Sequence, residues 1–127
     1  CCAVSGSGMV MHTCTPAHLH TCTPRLSPQQ LIYIINHAED QIVLFDATFA
    51  PLVKGIAVHC PQVRAWVCLA EAAHTPTIEG VANVLAYEDL IAPCSTFSWP
   101  SFDERTAAAL CYTSGTTGNP KDALYSH

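Results

Sequence analysis

One polar loop near the end of the chain has the residue types that bind phosphate. It reads TSGTTGNPK over residues 113–121 and follows an apolar run at residues 107–112. Gly115 and Gly118 let the backbone make turns that bring amide N–H groups close to a ligand, and the Ser and Thr hydroxyls add donors for anionic oxygens. Lys121 adds a mobile positive charge. Because consecutive N–H groups in such a turn form a concavity for anions, the loop predicts a binding site for a phosphate chain.

The spacing of the loop excludes two familiar nucleotide-binding patterns. In a Walker A loop the lysine directly follows the second glycine, whereas here Asn119 and Pro120 intervene and Asp122 follows the lysine. The dinucleotide pattern G-x-G-x-x-G is not matched either. From composition alone, a Ser/Thr/Gly surface hairpin without a ligand is an equally good interpretation.

The segment YTSGTTGNPK at residues 112–121 resembles the phosphate loop of the adenylate-forming superfamily, which includes acyl-CoA synthetases, luciferases and nonribosomal adenylation domains. The pattern of that family is roughly Y/F-T/S-S/T-G-S/T-T-G-x-P-K-G, and every position of the segment satisfies it. TPRLSPQQL at residues 23–31 resembles the opening segment of the family. NHAED at 36–40 and LYSH at 124–127 point more narrowly to bacterial medium- and long-chain fatty-acid–CoA ligases. The resemblance extends from about Gly6 to the last residue.

The resemblance implies a two-step reaction that uses ATP, Mg²⁺ and coenzyme A. A carboxylate attacks the α-phosphate of ATP to give an acyl-adenylate and pyrophosphate, and the thiol of coenzyme A then displaces AMP. The loop would hold the β- and γ-phosphates while Mg²⁺ neutralises charge as pyrophosphate leaves. The residues that the resemblance assigns to ATP binding are Thr113, Ser114, Gly115, Thr116, Thr117, Gly118 and Lys121, with Gly118 permitting the turn.

Asp122 departs from the resemblance, because the family has glycine after the lysine. A carboxylate beside a triphosphate is repulsive by roughly 1–4 kcal/mol at a separation of 4 Å, depending on the effective dielectric. A side chain here also conflicts with any backbone conformation that only glycine adopts. We therefore expect weaker ATP binding than in an Asp122→Gly variant.

A tandem repeat is the second departure. HTCTP occurs at residues 12–16 and again at 20–24, and the second copy is the one in register with the family. The repeat contains five plausible zinc ligands: His12, Cys14, His18, His20 and Cys22. Zinc sites generally have a C-x₂₋₄-C knuckle and a second ligand pair further along the chain, and neither is present. The sequence favours a tolerated duplication over a metal site, and no metal ligand is assigned.

The other reactive side chains are isolated in the sequence. His37, His59 and His74 are expected to be structural or exposed. Cys111 is expected to be an inert thiol, because no nearby cation or helix N-terminus is evident. No Ser-His-Asp arrangement is evident from spacing, so no catalytic residue is assigned within the chain.

Composition limits the class of protein. The 127 residues are 50% hydrophobic and only 12% charged, below the roughly 25% of an average domain, so much of the surface is expected to be covered by further protein. A formal charge of −5 with five scattered cations argues against nucleic-acid binding. Eight cysteines at irregular spacings, several within apolar runs, favour reduced thiols in a cytoplasmic protein. No stretch reaches the ~18 apolar residues of a membrane span.

Hydrophobic patterning predicts an α/β fold. Ser27 and Gln30 predict a capping box for a helix that begins at Pro28 and ends at about His37. Apolar runs at residues 41–45, 63–69 and 107–112 predict buried strands, and helices are predicted at residues 50–58 and 86–91. This alternation favours a layered fold of mostly parallel strands with flanking helices.

The chain divides into two parts by composition. Residues 1–28 are punctuated by glycine and proline and are expected to be irregular. Residues 29–127 are expected to form a partial AMP-binding N-terminal domain that ends just after the phosphate loop. The resemblance makes this a truncated N-terminal subdomain of the adenylate-forming fold.

The resemblance implies a fragment of a fatty-acid–CoA ligase that is inactive alone. The acyl pocket, the adenine contacts and the C-terminal domain with its catalytic lysine lie downstream of the loop in the family. The expected partners are therefore small molecules (ATP, a carboxylic acid and CoA) and the missing remainder of the catalytic domain. Two alternatives remain open: a stand-alone module that binds nucleotide or pyrophosphate without catalysis, and a metal-binding protein that uses the His/Cys repeat.

Overall fold

A mixed β-sheet with helices packed on it forms the framework of the protein. The computed structural model describes residues 10–14, 18–22, 26–93, 101, 103–105, 107–113 and 120–126. The strands in these ranges are β1 (Val10–Cys14), β2 (His18–Cys22), β3 (Ile42–Phe45), β4 (Ala65–Cys68), β5 (Val84–Ala86), β6 (Ala107–Thr113) and β7 (Lys121–Ser126). They form one sheet in the spatial order β5-β4-β3-β1-β2-β6-β7. The predicted α/β class with flanking helices is confirmed.

The sheet contains both parallel and antiparallel strand pairs. β3, β4 and β5 pair in parallel, with Val43 beside Trp66 and Val67 beside Leu85. β2 and β6 also pair in parallel. The antiparallel pairs are β1 with β2, β1 with β3, and β6 with β7. The parallel strands predicted from the alternating apolar runs are present, and two antiparallel hairpins are built into the same sheet.

Helix α1 (Pro28–His37) begins as the sequence predicts. The Ser27 hydroxyl accepts a hydrogen bond from the Gln30 N–H at 3.3 Å, and the Gln30 side-chain oxygen accepts one from the Ser27 N–H at 3.0 Å. Pro28 lies in the first turn, where its missing N–H removes no bond of the helix. The buried face of the helix consists of Leu31, Ile34 and Ile35.

The other helices are short. Helix α2 (Ala50–Ile56) continues into a 3₁₀ turn (Ala57–His59), so the helix predicted over residues 50–58 changes type near its end. Helix α3 (Tyr87–Ile91) follows β5, as predicted from the pattern before Pro93. Within the described ranges, no helix combines the length and apolarity required to cross a bilayer.

The prediction of irregular structure over residues 1–28 was wrong for β1 and β2. The strands that contain the first residues of each copy form an antiparallel hairpin, with His12 opposite His20. β-Branched Thr13 and Thr21 favour extended backbone, and the prolines that suggested irregularity follow each strand in the sequence rather than interrupting it. The division of the chain at residue 28 stays a prediction.

The hydrophobic core lies between one face of the sheet and helices α1 and α2. On the sheet, Val43 and Phe45 of β3 and Cys68 of β4 are fully buried. The helices contribute Leu31, Ile34, Ile35, Val53 and Ile56. Removing such apolar surface from water is the main stabilising contribution, at about 25 cal/mol per Å².

The cysteine side chains that the structure describes, Cys60, Cys68 and Cys111, are free thiols. Burial, reinforced by the charge of Asp40, raises the pKa of Cys60 to about 11. Burial likewise raises the pKa of Cys68. Both thiols are therefore protonated at neutral pH and pack as small apolar side chains.

Asp46 makes the turn after β3 sensitive to acid. Its carboxylate accepts hydrogen bonds from the Thr48 N–H at 2.9 Å and the Thr48 hydroxyl at 2.7 Å, and these bonds lower the pKa of Asp46. The stabilisation is therefore complete above the unfolded pKa of about 3.9 and is lost as pH falls through the lower folded pKa. We expect Asp46→Ala to lower the free energy of unfolding by about 1 kcal/mol at pH 7. Urea denaturation at pH 7 and at pH 3 measures this difference, and a difference that grows toward pH 3 would contradict the assignment.

Candidate functional site

The predicted phosphate loop joins β6 to β7, an antiparallel hairpin at one edge of the sheet. Thr113 lies opposite Lys121, so the register brings the first and last predicted ATP-binding residues side by side. The other predicted ATP-binding residues, Ser114, Gly115, Thr116, Thr117 and Gly118, lie outside the described residues. The hairpin defines where the loop begins and ends, and the roles of its inner residues stay predictions.

Lys121 and Asp122 lie on opposite faces of β7, because successive side chains alternate across a strand. Both are exposed, and Pro120 immediately before them is buried. Asp122 belongs to a regular strand and is not among the described residues with positive φ. The expected conflict with a glycine-only backbone conformation was therefore wrong. The negative charge of Asp122 remains as the reason to expect weaker ATP binding.

Tyr112 connects the start of the loop to helix α1. Its hydroxyl shares a hydrogen bond of 2.9 Å with His37 Nδ1. The His37 and Tyr112 rings meet edge to face with centroids 5.9 Å apart, and His37 stacks on Tyr33 at 5.4 Å. Tyr112 also packs against the hydrophobic core. The last turn of α1 therefore contacts the end of β6, the strand that precedes the loop.

Sequence reasoning missed this contact and treated His37 as isolated. His37 and Tyr112 are 75 residues apart in the chain, so no local spacing could indicate the pair. The available signal was indirect, since His37 ends a predicted helix and Tyr112 ends a predicted strand.

The remaining candidates from the sequence have the following surroundings. The exposed His59 accepts a hydrogen bond from the Asn36 side chain through its backbone carbonyl, at 3.0 Å. His74 Nδ1 lies 3.7 Å from a Glu71 carboxylate oxygen, with both side chains exposed. Cys111 is exposed and lies opposite Ala123. Among the side chains that the structure describes, all at or beyond Leu26, no group of three or more His, Cys, Asp or Glu residues could hold a metal ion.

A surface cavity of about 460 Å³ lies beside β5 and is lined by Ile78, Leu85 and Asp89 among others. β5 is at the edge of the sheet opposite to β7. The cavity therefore belongs to a different part of the fold from the predicted phosphate loop.

Comparison with known proteins identifies the family. Residues 3–127 match the family described as AMP-binding enzyme. The 3-methylmercaptopropionyl-CoA ligase of Ruegeria pomeroyi is 51% identical over an alignment of 127 positions that covers 98% of this chain and 22% of that protein. The medium-chain-fatty-acid–CoA ligase of Ectopseudomonas oleovorans is 47% identical over 126 residues, 98% of this chain and 21% of that protein. The chain thus spans about a fifth of the length of the curated relatives that it matches.

Solved structures show the same fold. The anthranilate CoA ligase AuaEII, crystallised in complex with anthranoyl-AMP, superposes with a TM-score of 0.70 at 26% identity. The match covers 83% of this chain and 19% of that chain. The fold and the near-complete sequence match agree, and the chain belongs to the AMP-binding enzyme family.

Proposed function

We propose that this chain is the phosphate-loop segment of an ATP-dependent acyl-CoA ligase. The main support is the segment at residues 112–121, which joins β6 to β7 and satisfies the family pattern up to the lysine, with Asp122 in place of the glycine that follows. The relatives that cover nearly the whole chain have names of acyl-CoA ligases, and they extend well beyond the matched segment. The chain alone is therefore proposed to lack the complete catalytic machinery.

The residues of the hairpin suit the binding of a triphosphate. The glycines and hydroxyls between Thr113 and Lys121 supply neutral donors for phosphate oxygens, and Lys121 supplies a positive charge at the end of the loop. Donors that are already in place when pyrophosphate leaves stabilise the charge that develops on it. Mg²⁺ would arrive with ATP and neutralise phosphate charge, and no protein ligand for it is assigned within this chain.

The substrate proposed for the whole enzyme is a carboxylic acid, with a medium- or long-chain fatty acid favoured. The relatives include a medium-chain-fatty-acid–CoA ligase and, at 41% identity, a long-chain-fatty-acid–CoA ligase of Thermus thermophilus. They also include the 3-methylmercaptopropionyl-CoA ligase at 51% identity. The shared chemistry of these names is a carboxylic acid joined to CoA.

An exchange chimera tests the proposal. Residues 1–127 replace the matching segment of the Ruegeria pomeroyi ligase, and carboxylate-dependent exchange of pyrophosphate into ATP is measured. We expect exchange that requires the acid substrate, because the transferred segment supplies the phosphate loop. A folded chimera that binds no ATP would contradict the assigned role.

Asp122→Gly in the exchange chimera is expected to lower KM for ATP. Asp122 is exposed and lies on the opposite face of β7 from Lys121. The repulsion between its carboxylate and ATP is therefore expected to be about 1 kcal/mol, which corresponds to a change of about fivefold in KM. Asp122→Asn removes the charge without adding backbone freedom, and we expect a similar gain. An unchanged KM in both variants would show that the carboxylate does not repel ATP.

Titration of the isolated chain with Mg²⁺-ATP distinguishes a fragment of a ligase from a stand-alone nucleotide-binding module. The fragment proposal predicts no saturable binding in the micromolar range, because the adenine contacts belong to the rest of the enzyme. Saturable micromolar binding without turnover would favour a nucleotide-binding module instead.

A further inference from the structure

An aromatic cluster of Tyr33, His37 and Tyr112 joins helix α1 to the end of β6. Tyr33 and His37 lie one turn apart on α1 and stack with ring centroids 5.4 Å apart. The rings of His37 and Tyr112 meet edge to face at 5.9 Å, and the Tyr112 hydroxyl shares a hydrogen bond of 2.9 Å with His37 Nδ1. The imidazole therefore contacts both tyrosine rings while its Nδ1 atom bonds to the hydroxyl.

The end of α1 that carries His37 is itself well anchored. Ile35 is fully buried, and its carbonyl accepts a hydrogen bond of 3.1 Å from the Gln62 side chain. The Asn36 side chain donates a hydrogen bond of 3.0 Å to the carbonyl of His59. A side chain that projects from such a supported helix holds its partner more precisely than one on a loop.

Tyr112 lies at the point where the hairpin needs this support. It immediately precedes Thr113, which pairs with Lys121 across the hairpin. β6 pairs with its inner neighbour β2 at Ala109 and Leu19, which is before Tyr112 on the strand. The contact with α1 therefore supports the hairpin at the end that carries the loop.

We propose that His37 is a positioning residue for the phosphate loop, because its hydrogen bond to Tyr112 fixes the strand end from which the loop begins. This inference rests on the proposed binding of ATP by the loop. The family pattern accepts phenylalanine as well as tyrosine at residue 112, which indicates that the hydroxyl itself does not contact phosphate. A loop that is already held in place loses less conformational freedom when ATP binds, so the contact is expected to lower KM for ATP.

Pyrophosphate exchange by the exchange chimera tests the proposal, with KM measured separately for ATP and for the carboxylic acid. His37→Phe keeps an aromatic ring but removes the Nδ1 atom, and Tyr112→Phe removes only the hydroxyl. Each is expected to raise KM for ATP by roughly threefold to tenfold, the usual net effect of one hydrogen bond. KM for the acid is expected to stay unchanged. A mere loss of folded enzyme would lower the rate and alter neither KM.

Two further variants distinguish one shared contact from separate effects. The double variant of His37→Phe and Tyr112→Phe is expected to raise KM for ATP no more than the larger single change, because both remove the same hydrogen bond. His37→Asn places an amide nitrogen or oxygen near the position of Nδ1. This variant is expected to keep KM for ATP below that of His37→Phe.

The chain offers matched controls. Tyr87→Phe removes a tyrosine hydroxyl from the start of α3, which follows β5 at the edge of the sheet opposite to β7. His74→Ala removes an exposed histidine whose ion-pair partner is Glu71. Both variants are expected to keep the KM for ATP of the original chimera.

Hydrogen–deuterium exchange of the complete 127-residue chain gives a readout that does not depend on ligase activity. In His37→Phe and Tyr112→Phe, amides at residues 110–113 are expected to exchange roughly threefold to tenfold faster, because the strand end opens more often. Amides of β4 serve as the internal reference and are expected to keep their rates.

Three results would each overturn the proposal. They are an unchanged KM for ATP in both phenylalanine variants of an active chimera, multiplication of the two single effects in the double variant, and equal deuterium uptake at residues 110–113 in the original and variant chains. A chimera that is inactive before any of these changes contradicts the proposed function instead. Deuterium uptake then tests the contact of His37 with Tyr112 by itself.

Discussion

Replacing Lys121 with alanine in the exchange chimera is expected to lower kcat/KM for adenylate formation by about 10²–10³-fold. Lys121 is the charged residue of the proposed phosphate loop, and its register partner Thr113 begins that loop. A positive charge held at this position interacts most strongly when negative charge accumulates on the departing pyrophosphate. The loss should therefore exceed that of an ordinary surface charge. Initial rates of pyrophosphate exchange at varied ATP measure it.

Lys54 supplies the matched control for this prediction. It is exposed on α2 and forms a 2.8 Å ion pair with exposed Glu79, away from β6 and β7. Exposed ion pairs contribute little, so Lys54→Ala is expected to change kcat/KM by less than about fivefold. Lys121→Arg keeps the charge and should recover part of the activity. Equal losses of kcat/KM in Lys54→Ala and Lys121→Ala would contradict a specific role of Lys121 in adenylate formation.

The largest expected loss of stability is at Phe45. This residue ends β3 and is fully buried. Its ring is among the largest side chains of the core, so Phe45→Ala leaves a cavity that the surrounding side chains fill only in part. We expect the free energy of unfolding to fall by about 3–5 kcal/mol. Urea denaturation followed by circular dichroism measures the change.

Val58→Ala is the control for the core prediction. Val58 is 76% exposed although it is apolar, so its truncation is expected to change the free energy of unfolding by less than about 0.5 kcal/mol. A comparable loss in Phe45→Ala and Val58→Ala would contradict the described core.

Elements with strong local signals could be predicted from the sequence. The start of α1 followed from the Ser27 and Gln30 capping box, and both capping hydrogen bonds are present. β3 and β6 followed from their apolar runs. In each case the residues that determine the element lie within or next to it.

Features that depend on pairing between distant segments could not be predicted in this way. Glycines and prolines within residues 1–28 indicated irregular structure around the repeat. The register of β1 with β2 and β3 cannot be derived from the sequence of that segment. The same holds for the contact of His37 with Tyr112, which depends on how α1 packs against β6. At Asp122, the residue type suggested backbone strain, but the position proved to be ordinary strand.

Acyl-adenylate formation by the exchange chimera is the most direct test of the central claim, that this chain provides the phosphate loop of an acyl-CoA ligase. We expect ATP–pyrophosphate exchange that depends on the carboxylic acid substrate and is lost in Lys121→Ala but kept in Lys54→Ala. Exchange that is absent from a folded chimera and is not restored by Asp122→Gly would contradict the claim.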